Sequence, residues 1–138
     1  DVIFLGKVLA NEIKKHSINW QFDLIIPIPL HQLKKAERGY NQSYYIAKGV
    51  SKELRVKVSD RVVKRIKYTE SQTTMNLNER EENISGAFKL LHKNAIRGKN
   101  ILLIDDVITT GATISECGRI LLEAGANKIY AASIAIAD

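Results

Sequence analysis

Residues 101–113 read Ile-Leu-Leu-Ile-Asp-Asp-Val-Ile-Thr-Thr-Gly-Ala-Thr, and no other stretch constrains the fold so strongly. Four consecutive apolar residues suit a strand buried on both faces, because neither alternating set of side chains then meets water. Two adjacent carboxylates, Asp105 and Asp106, are expected at the end of that strand, and small and hydroxylated residues lead into a helical pattern near Thr113. A helix N-terminus offers backbone N–H groups and a partial positive charge to an anion. Gly111 and Ala112 allow close backbone approach, and Thr109, Thr110 and Thr113 add hydroxyl donors. The carboxylates would repel that anion, so they suit vicinal sugar hydroxyls or a nearby metal ion. Together these features describe a site for a sugar phosphate. A capped helix after a buried strand would also place Asp and Thr at such a junction. It gives no reason for two adjacent acids and three threonines.

A chain of 138 residues with 45% apolar content fits a single domain, residues 1–138, with a real core. No apolar run approaches a membrane span, and no secretory signal is visible. The chain opens on Asp1 rather than Met and is read as a piece of a longer protein. The single cysteine, Cys117, leaves no internal disulfide or cysteine-based zinc site in this piece, and the expected location is the cytoplasm.

Charge is unevenly spread over the chain's net +6. From Lys34 to Lys67 there are eleven Lys and Arg against Glu37, Glu53 and Asp60, a local net of +8. Such a stretch is a solvated face, a field that draws in a polyanion, or a nucleic-acid surface. Aromatic residues are not interleaved in an RNA-binding pattern, which favours the solvated face with a contribution to phosphate attraction.

Periodicity predicts a helix over 2–16, a strand over 22–26 ended by Pro27 and Pro29, and an amphipathic helix over 43–54. Residues 30–40 read as a polar, basic loop. Strands are expected at 61–66, 88–91 and 101–105, a helix at 113–124 stopped by Gly125, and a last strand at 128–136. Residues 67–83 are almost wholly polar, with a short helix possible at 77–83. A loop of that length is usually functional or mobile. Strands alternating with helices imply a mostly parallel α/β sheet, whose ligands bind at the carboxyl ends of the strands.

Two further stretches carry polar chemistry. Pro27-Ile-Pro-Leu-His31 through Arg38-Gly39-Tyr40-Asn41-Gln42 follows a strand and precedes a helix, which is again anion-binding geometry, with Lys34 and Lys35 nearby. An ordinary turn with surface lysines has the same composition. His31 suits either a phosphate contact or a cap. The segment with Lys64, Arg65, Thr69, Gln72, Asn76, Arg80 and Asn83, ending Gly86-Ala87-Phe88, is a polar loop and a returning strand. Arg65 and Arg80 suit a plain surface role as well as a charge-compensating one. Cys117 shares a helical face with Ile114, Leu121 and Ala124 and reads as core. Trp20 reads as packing between the first helix and the first strand.

The 101–113 run closely resembles the phosphoribosyl-pyrophosphate (PRPP) motif of type I phosphoribosyltransferases. Adding Pro-Ile-Pro-Leu-His, Arg-Gly-Tyr-Asn-Gln, Thr-x-x-Gln and Glu-Arg-x-x-Asn with Gly-Ala-Phe, residues 22–137 resemble the ComF family, phosphoribosyltransferase-like proteins associated with competence. The resemblance implies a twisted, mostly parallel sheet flanked by helices, a flexible loop at 67–83 that closes over PRPP, and a small hood including residues 1–20. It implies transfer of phosphoribosyl from PRPP to an unknown nucleophilic acceptor, with release of pyrophosphate and with Mg2+ as cofactor. By resemblance Asp105 and Asp106 hold the ribose 2- and 3-hydroxyls, and Thr109, Thr110, Gly111, Ala112 and Thr113 hold the 5-phosphate. Arg38, Gly39 and Asn41 bind pyrophosphate, and Arg80 compensates its charge as it leaves. Mg2+ is expected through PRPP, near the acidic pair, rather than on a dedicated protein site. A non-catalytic PRPP or nucleotide sensor, or a single-stranded DNA module acting with competence proteins, is the alternative, and a homodimer is compatible with either. Many relatives carry an N-terminal cysteine-rich zinc segment, and this chain has none.

Overall fold

A computed structural model describes residues 1–16, 19–67 and 84–137. Strands β1 (Leu24–Pro27), β4 (Asn100–Ile108) and β5 (Lys128–Ile136) form a sheet in the order β1-β4-β5, and every pairing in it is parallel. Strands β2 (Val63–Arg65) and β3 (Phe88–Leu90) form a separate antiparallel ribbon. Helix α1 (Val2–His16) and helix α3 (Gln42–Leu54) cover one face of the sheet, and α4 (Ala112–Glu123) and the ribbon cover the other.

The two-residue strand period explains this layering. Ile25, Leu102 and Ile104 point to the α1–α3 side and pack with Ala10, Ile13, Ile46 and Val50. Leu24, Ile26, Ile101 and Leu103 point the other way, onto Cys117, Leu121, Val63 and Phe88. Residues 101–104 are fully buried, which is why they are apolar without alternation. Each such side chain contributes about 2–3 kcal/mol by leaving water.

Helices α1 and α3 meet backbone to backbone. A Cβ added to Gly6 would lie 2.3 Å from the Ile46 carbonyl oxygen, and one on Gly49 would lie 2.3 Å from that of Ile3. Only glycine permits this approach. Residues 2–16, expected in a hood, therefore form a layer of the main core, because Ala10 and Ile13 are buried against the sheet. Trp20 is not wedged between helix and strand either. It is 39% exposed and stacks on Tyr130 of β5 at 4.4 Å, with Phe22 edge-on at 5.9 Å.

Two other expectations change. Residues 32–38, read as loop, form a short helix, α2 (Gln32–Arg38), capped by His31, whose Nδ1 accepts from the Leu33 N–H at 3.1 Å. None of its residues is buried, so it had no apolar stripe to betray it. Strand β4 does not stop at the acidic pair but continues to Ile108, because β5 keeps pairing with it through Asp105↔Ser133, Val107↔Ala135 and Ile108↔Ile136. The other side of β4 loses its neighbour earlier, since β1 ends at Pro27, with one more bond from the Ile28 N–H to the Ile104 carbonyl at 2.8 Å. Departure of β1 beside a continuing β4 opens a crevice at the carboxyl ends of the strands. The 67–83 loop, beyond Lys67, and the possible helix at 77–83 lie outside the described residues.

Candidate functional site

The crevice is a cleft of about 260 Å³. Three chain segments, joined by Arg65 from β2, meet there: the segment after β1, the end of β4, and the turn into α4. The first supplies Lys34, Arg38 and Asn41, the second Asp105 and Asp106, and the third Thr109, Gly111, Ala112 and Thr113.

Asn41 starts α3. Its Oδ1 accepts from the Ser43 N–H at 3.1 Å and its Nδ2 donates to the Ile28 carbonyl at 3.2 Å, so one side chain caps the helix and fixes the chain leaving β1. Ser43, buried in the first turn, donates from Oγ to Asp105 Oδ1 at 3.4 Å. The same carboxylate oxygen accepts from the Asp106 N–H at 2.9 Å, and Asp106 Oδ1 accepts from the Val107 N–H at 2.8 Å. Where β1 has left, the acidic side chains thus satisfy backbone donors of their own strand. Burial, then hydrogen bonding and like charge from Asp106, push the Asp105 carboxyl up to about 7, against the smaller opposing effect of the Asp106 N–H and Ser43 bonds.

The turn after β4 ends at Gly111, whose φ of +83° is a left-handed conformation that glycine adopts without strain. Nothing lies within 4 Å of a Cβ added there, so backbone conformation rather than space requires the glycine. Helix α4 begins at the next residue and aims its N-terminus at the cleft. Thr110 departs from its four neighbours: its Oγ1 accepts from the Ala112 N–H at 3.3 Å, and it lines an adjoining cleft beside Ile84, Ser85 and Glu116. Gly39, with φ +85°, ends α2 and lines a second cavity rather than the first cleft. Arg80 lies outside the described residues.

Ser43 carried little signal in the sequence, and Arg65 was open between a surface role and a charge-compensating one. Ser43 is an ordinary helix-start serine until the fold brings Asp105 to it. Arg65, at the end of β2, lines the cleft with its guanidinium 5.4 Å from the Phe88 ring centroid. Burial lowers its pKa, and the nearby Asp105 charge acts in the opposite direction. The cleft therefore sets Lys34, Arg38 and Arg65 around an acidic pair, which suits a ligand with anionic ends and a hydroxylated middle.

Among the described residues, no three His, Cys, Asp or Glu side chains group as metal ligands. The hard oxygen donors of Asp105 and Asp106 do fit Mg2+, which needs few protein ligands when a substrate phosphate supplies the rest. No helix is long and apolar enough to cross a membrane among these residues.

Residues 4–137 match the phosphoribosyl transferase domain family. Competence protein F of Haemophilus influenzae is 35% identical over 108 residues, which is 78% of this chain and 47% of that protein. Competence protein ComFC of Bacillus subtilis is 34% identical, covering 74% of this chain and 39% of its own length. The chain thus spans about half the length of the curated relatives it matches. Among solved structures, the allosteric regulatory enzyme of purine biosynthesis superposes with a TM-score of 0.65 at 19% identity, over 96% of this chain and 25% of that one. An adenine phosphoribosyltransferase gives 0.61 at 15% identity, over 99% and 68%. These likenesses share the layered α/β architecture described above. The chain belongs to the ComF family of type I phosphoribosyltransferase-like proteins.

Proposed function

We propose that this domain binds PRPP with Mg2+ and transfers its phosphoribosyl group to a nucleophilic acceptor, releasing pyrophosphate. One observation carries the reading: the acidic pair lies in one cleft with the turn into α4 on one side and the basic α2–α3 segment on the other. That spacing of anion, hydroxyl and anion recognition matches a 5-phosphate, a ribose diol and a pyrophosphate.

The α4 N-terminus, with Thr109 and Thr113, anchors the 5-phosphate. Asp105 and Asp106 accept hydrogen bonds from the 2- and 3-hydroxyls, and their negative charge favours the positive charge that develops on the ribose ring. Arg38 and Asn41 orient the pyrophosphate, joined by Arg65; Gly39, which borders the adjoining cavity, and Arg80 are assigned to the same leaving group through the family resemblance. The C1–oxygen bond to pyrophosphate breaks and a bond from C1 to the acceptor forms. Bound Mg2+ supplies further neutralisation of pyrophosphate charge. The protein's contribution is mainly orientation and electrostatic stabilisation.

The asymmetry between Asp105 and its neighbours matters for binding. A carboxyl raised to about 7 is partly protonated at neutral pH, and hydroxyl donors favour its ionised form. Ribose binding should therefore release a fraction of a proton near pH 7 and strengthen as pH rises. The test is equilibrium binding of PRPP to the Asp105→Asn, Asp106→Asn double variant. Affinity should be lost with the fold retained; unchanged affinity in a folded protein would overturn the ribose assignment.

The names of the relatives, competence proteins and, in Escherichia coli, a DNA utilization protein, support a role in DNA handling, and we place that role in the cytoplasm. Under a DNA-binding reading of the basic 34–67 stretch, affinity for single strands falls steeply with salt. Salt-independent affinity would exclude that reading.

A further inference from the structure

A second cavity, of about 610 Å³, lies beside the first cleft and shares Leu30, Asn41 and Arg65 with it. Its chemistry differs. Lys35 from α2, Arg61 and Lys64 beside and on β2, and Arg65 bring positive charge, and among the described lining residues Asp60 is the one acid. Tyr40, Tyr44 and Tyr45 supply aromatic walls. They form one cluster, Tyr45 meeting Tyr40 at 5.7 Å and Tyr44 at 5.3 Å, both edge to face. Lys48 Nζ lies 5.4 Å from the Tyr44 ring centroid. Tyr40 remains 45% exposed, although it borders a cavity able to cover it.

A bare phosphate would use the cations but has no need of three phenol rings. An apolar ligand would use the rings but gains nothing from four cations. A ligand with both a flat ring and a phosphate uses both, through stacking and charge-assisted hydrogen bonds. The volume falls in the range of small-molecule sites, roughly 300–1,000 Å³. Extended single strands need aromatic platforms repeated along a track, whereas these tyrosines lie together in one cluster. We propose that this second cavity binds a mononucleotide, its base against the tyrosine cluster and its phosphate on Lys35, Arg61 and Lys64.

Occupancy follows from the cavity's own lining and does not depend on what the first cleft binds. A second consequence rests on the PRPP reading. Asn41 and Arg65, assigned there to pyrophosphate, line both cavities, so a ligand in the second lies on the leaving-group side. A nucleophile displacing pyrophosphate approaches C1 from the opposite face. The nucleotide is therefore an effector rather than the acceptor. Its phosphate draws on the same positive field as pyrophosphate, so the two ligands weaken each other reciprocally.

The experiment is calorimetric titration with AMP and GMP of the wild type, of Tyr40→Ala with Lys64→Glu, and of Asp105→Asn with Asp106→Asn. At least one nucleotide should bind the wild type and the aspartate variant alike, and bind the Tyr40/Lys64 variant at least about tenfold more weakly. PRPP affinity should be unchanged in a Tyr40→Ala single variant without nucleotide, because that change leaves the positive field intact. Saturating nucleotide should raise the wild-type Kd for PRPP about fivefold. No nucleotide binding to the wild type would overturn the proposal. Loss in the aspartate variant with retention in the Tyr40/Lys64 variant would also overturn it, by moving the nucleotide to the first cleft. Binding of a short oligothymidylate through Tyr40 and Lys64, without mononucleotide binding, would overturn it in favour of a strand-binding surface. Failure of PRPP to bind, with nucleotide binding as described, would overturn the PRPP reading alone.

Discussion

Replacing Asp105 by Asn should make the protein more stable at pH 8 while removing its ligand. The amide preserves the shape of the carboxylate and an oxygen to accept from Ser43 Oγ and the Asp106 N–H, so the local bonds persist. What disappears is a charge held in a mostly buried position next to Asp106. Folding raises the Asp105 carboxyl from an ordinary 3.8 to about 7. Between those values the folded protein holds a proton that the unfolded chain has released. The folded state therefore loses relative stability as pH climbs through this window, and above about 7 the loss is complete. Three units at about 1.4 kcal/mol each set an upper bound of about 4 kcal/mol, of which about 2–3 kcal/mol falls between pH 5 and pH 8. Urea unfolding of both proteins at the two pH values isolates the titration of the acidic pair, because titrating groups other than the adjoining Asp106 cancel in the difference. The variant's advantage should widen by that amount from pH 5 to pH 8. A pH-independent difference, or a variant less stable than wild type at pH 8, would refute the argument that burial of this carboxylate is costly. Such a gain coupled to loss of function is expected where a site holds a charge for its ligand rather than for its fold.

Three other outcomes follow from the packing. Gly49→Ala should destabilise by about 2–3 kcal/mol in urea unfolding, since its Cβ would meet the Ile3 carbonyl oxygen at 2.3 Å and backbone cannot yield as a side chain does; a neutral effect would mean that α1 shifts freely over α3. Asn41→Ala should cost about 1–2 kcal/mol in thermal unfolding. Asn41→Asp should recover the cap but not the bond to the Ile28 carbonyl, so a variant as stable as wild type would deny that bond any role. Burial pushes the Cys117 thiol up to about 12, so it should resist a disulfide reagent in the native protein and react promptly in urea. Rapid native labelling would contradict its core position.

The sequence revealed the sheet more readily than the site's edges, for physical reasons. Residues 101–104 are apolar because both faces are covered, and such a run is legible without any partner in view. Helix α4 was readable because its buried face repeats at Cys117 and Leu121 and its start and stop carry Gly111 and Gly125. Helix α2 was not, because it buries nothing and is held by a cap at His31 and a left-handed Gly39. The extent of β4 past Asp106 depends on pairing with β5, which is far along the chain. Ser43 and Arg65 reach the cleft through tertiary packing alone. The tyrosines at 40, 44 and 45 were in plain sight within the basic stretch, but their spacing matches no linear aromatic pattern. They become a feature only when the start of α3 folds them together beside β2.

We propose that the cleft between β1 and β4 is a PRPP site. Calorimetric titration of the domain with PRPP, with and without Mg2+, tests it most directly. A PRPP site there gives saturable one-to-one binding that tightens with Mg2+ and is lost in the Asp105→Asn, Asp106→Asn variant. No binding by the folded wild type at millimolar PRPP with Mg2+ would contradict it.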